Sequence, residues 1–315
     1  MSAGQAAALE PVSVIVFPGG FNWPIWAAQE QGYFQKAGIK VNVTPTPSSV
    51  YQMSRLISGK FDIAMTAFDN VVAYDVGEGE AKVSGQPHLF AFMGGDDGFL
   101  SLVVPDSITS YSQLKGKKLA VDALTTGYAF VLERMLASHG LSSSDYSLVS
   151  AGGVLGRWKA MLKGEYAGTL LVTPFDILAR EKGMHPLGYA INDLHHYQGV
   201  VGATRRSWAK NHSRELVAYI VGYKRALRWL YDRSNRAAAL KILESHVPNM
   251  TAGLAARTYD VLLGASGGFI RDAELNKKGM ETVLQLRREY AAPKAVLNRP
   301  ATFYDESYYR KAATK

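Results

Sequence analysis

The chain has 315 residues, of which 47% are apolar and 20% charged, as expected for about two globular domains. It contains no stretch of the ~18 to 20 uncharged apolar residues that would span a bilayer, so an integral membrane protein is not expected. Cysteine is absent, which excludes disulfides, thiolate catalysis, iron–sulfur clusters and thiolate zinc sites.

The net charge of +8 raises the question of a nucleic-acid or membrane partner. Much of the excess positive charge falls in residues 205–241. We interpret this segment as the solvated face of a helix, which is the usual position of such charge runs. The segment contains no nucleic-acid-binding motif, and it is not a predicted sheet in which aromatic residues alternate with basic ones. We therefore expect no nucleic-acid partner.

Strands and helices are predicted to alternate in chain order until about residue 204. Hydrophobic patterning predicts strands at 12–17, 40–44, 61–65, 88–93 and 99–104, with helices at 24–31, 50–58 and 70–76. A second alternating unit follows, with strands at 119–122, 146–150, 166–172, 183–190 and 199–204 and helices ending near 138 and 163. The remainder is predicted to be helical, at 213–233, 235–246, 251–263 and 276–290, with a last short helix starting near 304.

One structural unit occurs twice. Residues 56–69 read LISGKFDIAMTAFD and residues 161–176 read MLKGEYAGTLLVTPFD. Each copy has a helix end, a glycine, a buried strand and a Thr-x-Phe-Asp loop, and Gly59 and Gly164 stand where a helix takes a left-handed C-terminal cap. Ligands of parallel α/β sheets bind beyond the carboxyl ends of the strands, so we expect the two loops to be facing walls of one cleft.

Two alternating units joined by two crossing segments predict an α/β protein with two lobes and a ligand cleft between them. The crossings are expected near residues 97–102 and 197–203. The first lobe is then discontinuous, comprising residues 10–98 and 203–315, and the second lobe comprises residues 99–202.

Several motifs resemble a known family. NWPIWAAQEQGYF at residues 22–34 and AGIKV at 37–41 resemble the opening of substrate-binding proteins of ABC importers, in the nitrate, sulfonate and taurine branch that also includes binders of the thiamine pyrimidine precursor. LKGKKLAV at 114–121 and the two repeated units resemble later motifs of that family, although Ala167 stands where an acid is usual. The resemblance covers most of residues 12–206. It implies the type II periplasmic-binding-protein fold, in which each lobe is a mixed sheet flanked by helices.

This fold places the candidate ligand-binding residues in loops that follow strands of both lobes. They are Phe21, Asn22, Trp23, Ser48, Ser49, Thr66, Ala67, Phe68 and Asp69 from the first lobe, and Thr125, Thr126, Tyr128, Arg157, Thr173 and Phe175 from the second. The aromatic members can stack on a flat ring or contact an apolar chain. We expect the aromatic loop at residues 21–23 to be the best indicator of the ligand, and Trp23→Ala to weaken binding at least tenfold, by ~1.4 kcal/mol.

Several candidates have a purely structural alternative. The hydroxyl residues before the helices at 50–58 and 128–138 can cap them, and the same helix N-termini can hold an anion. Asp69 and Asp176 are better interpreted as helix caps, since a carboxylate would repel an anionic ligand. Arg157 can pair with a carboxylate or sulfonate, or be a solvated residue of a first helical turn. The adjacent His195 and His196 lack metal-ligand spacing, so neither a metal nor another cofactor is expected.

The sequence therefore predicts a receptor rather than an enzyme. We expect it to close on a small organic solute, aromatic or anionic, and to deliver it to the membrane permease of an ABC importer, as a periplasmic monomer. The segment MSAGQAAALEP has no signal-peptide pattern, so we expect the signal to be missing from this sequence. The solute itself is not identified.

Two other functions stay open. The first is an enzyme of pyrimidine or related biosynthesis on the same fold, because the resemblance extends to pyrimidine-forming proteins. Those proteins carry a cysteine-rich iron motif, which this chain lacks. The second is the effector domain of a regulator, for which no helix-turn-helix is found.

Overall fold

The computed structural model describes residues 8–264, 268–292, 295–297 and 300–313. The strands in these ranges are β1 (Glu10–Val16), β2 (Ile39–Pro45), β3 (Ile63–Ala67), β4 (Leu89–Gly94), β5 (Leu100–Pro105), β6 (Lys117–Val121), β7 (Tyr146–Ser150), β8 (Gly168–Val172), β9 (Met184–Tyr189) and β10 (Val200–Arg205). Most lie within two residues of the predicted strands, because each is a short apolar run that ends at a turn residue.

The strands form two mixed sheets with the same order of positions. The first sheet runs β2-β1-β3-β10-β4 and the second runs β7-β6-β8-β5-β9. At one side of each sheet the strands pair in parallel, as β1 does with β3 and β6 with β8. An antiparallel strand lies next to these parallel strands. That strand is β10 in the first sheet and β5 in the second. Each of these two strands is the first that the chain forms after it crosses from the other sheet.

Helices flank both sheets. They are α1 (Trp23–Glu30), α2 (Tyr33–Lys36), α3 (Ser49–Ile57), α4 (Phe68–Asp75), α5 (Gly127–Ser138), α6 (Val154–Leu162), α7 (Phe175–Arg180), α8 (Ala190–Leu194), α9 (Arg206–Asn211), α10 (Ser213–Tyr231), α11 (Arg236–His246), α12 (Ala252–Leu262), α13 (Lys277–Tyr290) and α14 (Ser307–Ala313). The sequence patterning missed α2, α7, α8 and α9, which are too short to show a helical period. None of the described helices has the length and apolar character needed to cross a membrane.

The repeated unit adopts the same backbone geometry in both lobes. Gly59 and Gly164 have φ values of 82° and 71°, so both are left-handed as predicted. After Gly59, the Lys60 N–H donates to the Arg55 carbonyl at 2.9 Å, and after Gly164 the Glu165 N–H donates to the Ala160 carbonyl at 3.1 Å. These are the helix-ending hydrogen bonds that a glycine at this position permits.

Two crossing segments connect the sheets, one between β4 and β5 and one before β10. Asp96 lies in the first and is 2% exposed. Its Oδ1 accepts hydrogen bonds from the N–H groups of Gly98 at 2.8 Å and Val200 at 3.3 Å. Burial raises the pKa of the Asp96 carboxyl to about 7. One buried acid therefore holds the two crossing segments together.

Candidate functional site

A cavity lies between the lobes, beyond the carboxyl ends of β1, β3, β6 and β8. Its lining residues come from both lobes: Phe17, Phe21, Ser49, Ala67, Asn70 and Val200 from the first, and Asp122, Thr126, Gly127, Tyr128, Val154, Arg157 and Val172 from the second. Its volume is about 50 Å³. A water molecule needs ~10–15 Å³ of such volume, so the cavity in this closed arrangement has room for only a few water molecules.

The lobes are closed against each other around this cavity. The Ser49 N–H donates to Asp122 Oδ2 at 2.9 Å. The Gly153 N–H donates to the Pro47 carbonyl at 2.9 Å, and the Gly20 N–H donates to the Thr173 carbonyl at 3.1 Å. Each bond joins a loop of one lobe to a loop of the other, which is the arrangement of a clamp in its closed form.

Asp122 gives the cavity a carboxylate with a free acceptor. It directly follows β6, and its Oδ2 is occupied by the Ser49 N–H. Its Oδ1 is buried and has no hydrogen-bond partner among the described residues. A buried oxygen without a partner costs free energy, and a ligand N–H or O–H in the cavity would remove that cost.

Arg157 contributes a buried guanidinium whose hydrogen bonds go to neutral groups. Its Nε donates to Thr169 Oγ1 at 2.9 Å, Nη1 to the Gly152 carbonyl at 2.6 Å and Nη2 to the Leu170 carbonyl at 3.2 Å. Burial lowers the pKa of this guanidinium, although arginine stays protonated near neutral pH. The side chain is therefore not solvated, as one sequence interpretation had it, and three of its five N–H groups already donate to acceptors within the protein.

Three aromatic rings contribute to the apolar walls of the cavity. Phe17 and Phe21 come from the first lobe and Tyr128 from the second. The ring of Phe21 packs on Phe99, with centroids 6.4 Å apart, and that of Tyr128 on Tyr197 at 6.3 Å. Rings held in place by neighbours in this way can contact a flat ligand at little cost in side-chain entropy.

Of the residues predicted to bind the ligand, six line the cavity: Phe21, Ser49, Ala67, Thr126, Tyr128 and Arg157. Their binding role stays a prediction. Ser48 is the cap of α3, accepting from the Tyr51 N–H at 3.2 Å. The Thr125 N–H donates to Glu80 Oε1 at 3.2 Å on the exposed lobe boundary.

The repeated Thr-x-Phe-Asp loops are placed differently from the prediction. Thr66 is the fourth residue of β3, accepts from Asn70 Nδ2 at 2.9 Å and is fully buried. Phe68 is buried as well, and Thr173 is fully buried. Phe175 packs against Trp158 and faces a separate surface groove, which Asn22 also lines. The residues of these segments that reach the cavity are Ala67 and Val172, because both end a strand at the lobe boundary.

Trp23 is a correction to the sequence prediction. Its side chain is fully buried in the first lobe, with the ring of Tyr259 at 5.6 Å in an edge-on arrangement. Its indole N–H donates to the Ala239 carbonyl at 3.1 Å. Both partners belong to the C-terminal helices, so the aromatic residue that the sequence placed in the cleft instead fixes α11 and α12 against α1.

We expect Trp23→Phe to lower the free energy of unfolding by about 1–2 kcal/mol, because the Ala239 carbonyl loses its buried donor. We expect the same variant to leave the affinity for a bound solute unchanged. Urea unfolding and calorimetric titration measure the two effects separately. A large loss of affinity at unchanged stability would return Trp23 to the site.

The two aspartates interpreted as helix caps are a second correction. The N-cap positions of α4 and α7 are Ala67 and Pro174, so Asp69 and Asp176 lie in the first helical turns and not at the caps. Asp176 Oδ2 accepts from Ser101 Oγ at 3.3 Å. Asp69 is buried in an ion pair with Arg287, whose Nη1 lies 2.8 Å from both of its carboxylate oxygens. Asp69 therefore has its charge satisfied from within the protein, although it was predicted to contact the ligand.

Seven cavity residues were missed: Phe17, Asn70, Asp122, Gly127, Val154, Val172 and Val200. Asp122 could have been found, since it stands at the end of a predicted strand, as the chosen loops do. The sequence does not indicate that the valines line the cavity, because an apolar residue at an element's end has the same sequence pattern whether it faces a cavity or the core. Gly127 is not indicated either, because its position in the cavity wall depends on its contact with Asp69 of the other lobe.

A sequence model described as NMT1/THI5 like matches residues 22–237. The chain belongs to this family. The match covers most of the region in which the resemblance to substrate-binding proteins was found, and it ends before α11 is complete.

A curated relative is the 4-amino-5-hydroxymethyl-2-methylpyrimidine phosphate synthase of Schizosaccharomyces pombe. It is 27% identical over 156 residues, which are 47% of this chain and 40% of the yeast protein. The chain thus matches less than half of the length of that enzyme.

Solved structures share the fold across nearly the whole chain. The ligand-binding component of an ABC-type import system from Staphylococcus aureus superposes with a TM-score of 0.79 at 13% identity, covering 97% of this chain and 100% of that one. The periplasmic nitrate-binding protein NrtA of Synechocystis PCC 6803 gives a TM-score of 0.79 at 13% identity, covering 98% of this chain and 90% of that one. The predicted two-lobed periplasmic-binding-protein fold is confirmed.

Proposed function

We propose that this NMT1/THI5-like protein is the solute-binding receptor of an ABC-type importer, and that it works in the periplasm by presenting a bound solute to a membrane permease. The observation that supports this most strongly is the cavity at the lobe boundary, enclosed by loops of both lobes that hydrogen-bond to each other. The solved proteins with this fold include a ligand-binding component of such an import system and a periplasmic nitrate-binding protein.

The chemistry of the cavity favours a compact organic solute with a hydrogen-bond donor. Phe17, Phe21 and Tyr128 supply surfaces for a flat or apolar body. Asp122 Oδ1 supplies an unoccupied acceptor, and Arg157 already has three neutral acceptors. An amine or amide N–H on a ring fits this combination better than an inorganic anion, which offers the carboxylate no donor.

A thermal-shift screen tests the ligand class. We expect 4-aminopyrimidine to raise the melting temperature more than taurine, ethanesulfonate or nitrate at equal concentration, because ligand in excess stabilises the folded state by RT ln(1 + [L]/Kd). Asp122→Asn should weaken binding of the best compound at least tenfold, ~1.4 kcal/mol, while Asp260→Asn on the exposed face of α12 leaves it unchanged. Equal affinity in the Asp122 variant would remove this carboxylate from the site.

The second candidate function is biosynthetic catalysis, which the partial identity to the yeast pyrimidine synthase favours. Native mass spectrometry of the purified protein distinguishes the receptor function from the catalytic one. A receptor releases any co-purified solute unchanged after prolonged incubation. Conversion of that solute into a compound of different mass would overturn the receptor proposal.

A further inference from the structure

The two lobes meet at points where a glycine of one lobe touches the other. A Cβ added to Gly153 would lie 2.7 Å from the Pro47 carbonyl oxygen, and one added to Gly20 would lie 3.1 Å from that of Thr173. A Cβ on Gly127 would overlap the Cβ and carboxyl carbon of Asp69. The closed arrangement is therefore incompatible with any side chain at Gly127, although this residue is the first of helix α5, where alanine fits the backbone.

Arg287 completes the contact between Asp69 and the second lobe. It lies on α13, outside the residues matched by the family model, and its side chain is fully buried. Its guanidinium binds Asp69 of the first lobe at 2.8 Å and Glu78 Oε2 at 2.6 Å. The same guanidinium donates to the Thr125 carbonyl of the second lobe at 3.4 Å and lies 5.2 Å from the ring centre of Phe130.

These contacts also adjoin the cavity. Asp69 stands between Ala67 and Asn70, which both line it, and it accepts a hydrogen bond from the Gly127 N–H. Thr125 precedes Thr126 and Gly127, which form the opposite wall. The buried guanidinium of Arg287 thus contacts the first-lobe wall through its ion pairs with Asp69 and Glu78. It contacts the second-lobe wall through the Thr125 carbonyl and the Phe130 ring. Separation of the lobes would expose the guanidinium to water and break one of these two sets of contacts.

We propose that Arg287 is a latch, a positioning residue that holds the two lobes closed over the cavity by joining Asp69 to the N-terminal turn of α5. The inference rests on the proposed function, because a latch matters only if the lobes open to admit a solute. The closed state then has a source of stability that is independent of the solute, and loss of the latch shifts the ligand-free protein toward an open form.

The absence of cysteine allows the lobe separation to be measured directly. Lys40 and Lys159 are exposed residues of opposite lobes that line the same surface groove. Spin labels on Lys40→Cys and Lys159→Cys report the distance between the lobes by electron–electron double resonance, in dialysed protein without added ligand. We expect Arg287→Gln and Gly127→Ala each to move the distance distribution to values several ångströms longer than in the otherwise unchanged labelled protein.

Gly253→Ala is the matched control, since it lies in the first turn of α12 with open space around the added Cβ. It should keep the parent distribution. An unchanged distribution in folded Arg287→Gln overturns the latch. If that variant does not fold, Arg287→Lys replaces it, because lysine keeps the positive charge but lacks the guanidinium's fork of donors. An unchanged distribution in Arg287→Lys then overturns the latch. No ligand enters the measurement, so its result is distinguishable from failure of the solute screen.

Discussion

Arg287→Met is expected to lower the free energy of unfolding by about 3–5 kcal/mol, the range typical of removing one partner of a buried ion pair. Methionine keeps much of the side-chain volume but leaves Asp69 and Glu78 without their cation. Asp69 is 1% exposed, and the Glu78 side chain is 6% exposed, so water cannot replace the lost partner. Urea denaturation at neutral pH measures the change.

Arg134→Met is the control for this prediction. Arg134 on α5 pairs with Glu289 on α13, but both side chains are partly exposed, at 23% and 43%. Exposed ion pairs contribute about 0–1 kcal/mol, so this variant should lose no more than that. Equal losses in the two variants would mean that the Arg287 cluster is as well solvated as the surface pair, contrary to its burial.

Asp96→Asn is expected to stabilise the protein at pH 8 and to have a much smaller effect at pH 5. The pKa of Asp96 is raised to about 7 by burial, so the folded state holds its proton more tightly than the unfolded chain does. The native protein therefore loses stability as pH rises from about 4 toward 7, by up to ~4 kcal/mol for this one group. Asparagine keeps the acceptor that binds the Gly98 and Val200 N–H groups and carries no charge to bury.

The measurement is the difference in unfolding free energy between Asp96→Asn and the native protein across pH 5–8. Other buried acids contribute equally to both proteins and cancel in the difference. Asp260→Asn, at an exposed position, should give a difference that does not change with pH. Parallel curves for Asp96→Asn and the native protein would show that the Asp96 carboxyl ionises as readily as it does in water.

The strands and long helices were predictable because their signals are local. A short apolar run between turn residues is a strand in any context, and β7 was predicted with the bounds that the structure gives. The glycines after α3 and α6 were predictable for the same reason, since a left-handed cap depends on the adjacent backbone alone. The site was predicted less well. Trp23 and Asp69 were assigned to the cleft because they stand in the expected loops, but the Trp23 indole donates to Ala239 and the Asp69 carboxylate pairs with Arg287, which are both distant in the sequence.

Two aromatic residues show why the sequence alone could not assign the residues of the cavity. Phe21 and Trp23 are two positions apart in one predicted loop, yet Phe21 lines the cavity and Trp23 donates to Ala239 in the core. Their local sequence does not distinguish them, because Trp23 is the first residue of α1 and its direction depends on helix packing. Asp122 and Asp69 differ in the same way. Each is an acid near the end of a strand, but Arg287 neutralises the Asp69 carboxylate, whereas Asp122 Oδ1 has no hydrogen-bond partner among the described residues.

The sequence by itself determined the two alternating α/β units, the repeated helix–glycine–strand segment and the absence of thiol chemistry. These follow from composition and from patterns within about twenty residues. Only the tertiary structure decided which loop residues face the cavity, that the lobes are closed through glycine contacts, and that a C-terminal arginine joins them. Those features depend on pairs of residues far apart in the chain, such as Asp69 with Arg287, and packing of distant elements leaves no periodic trace in the sequence.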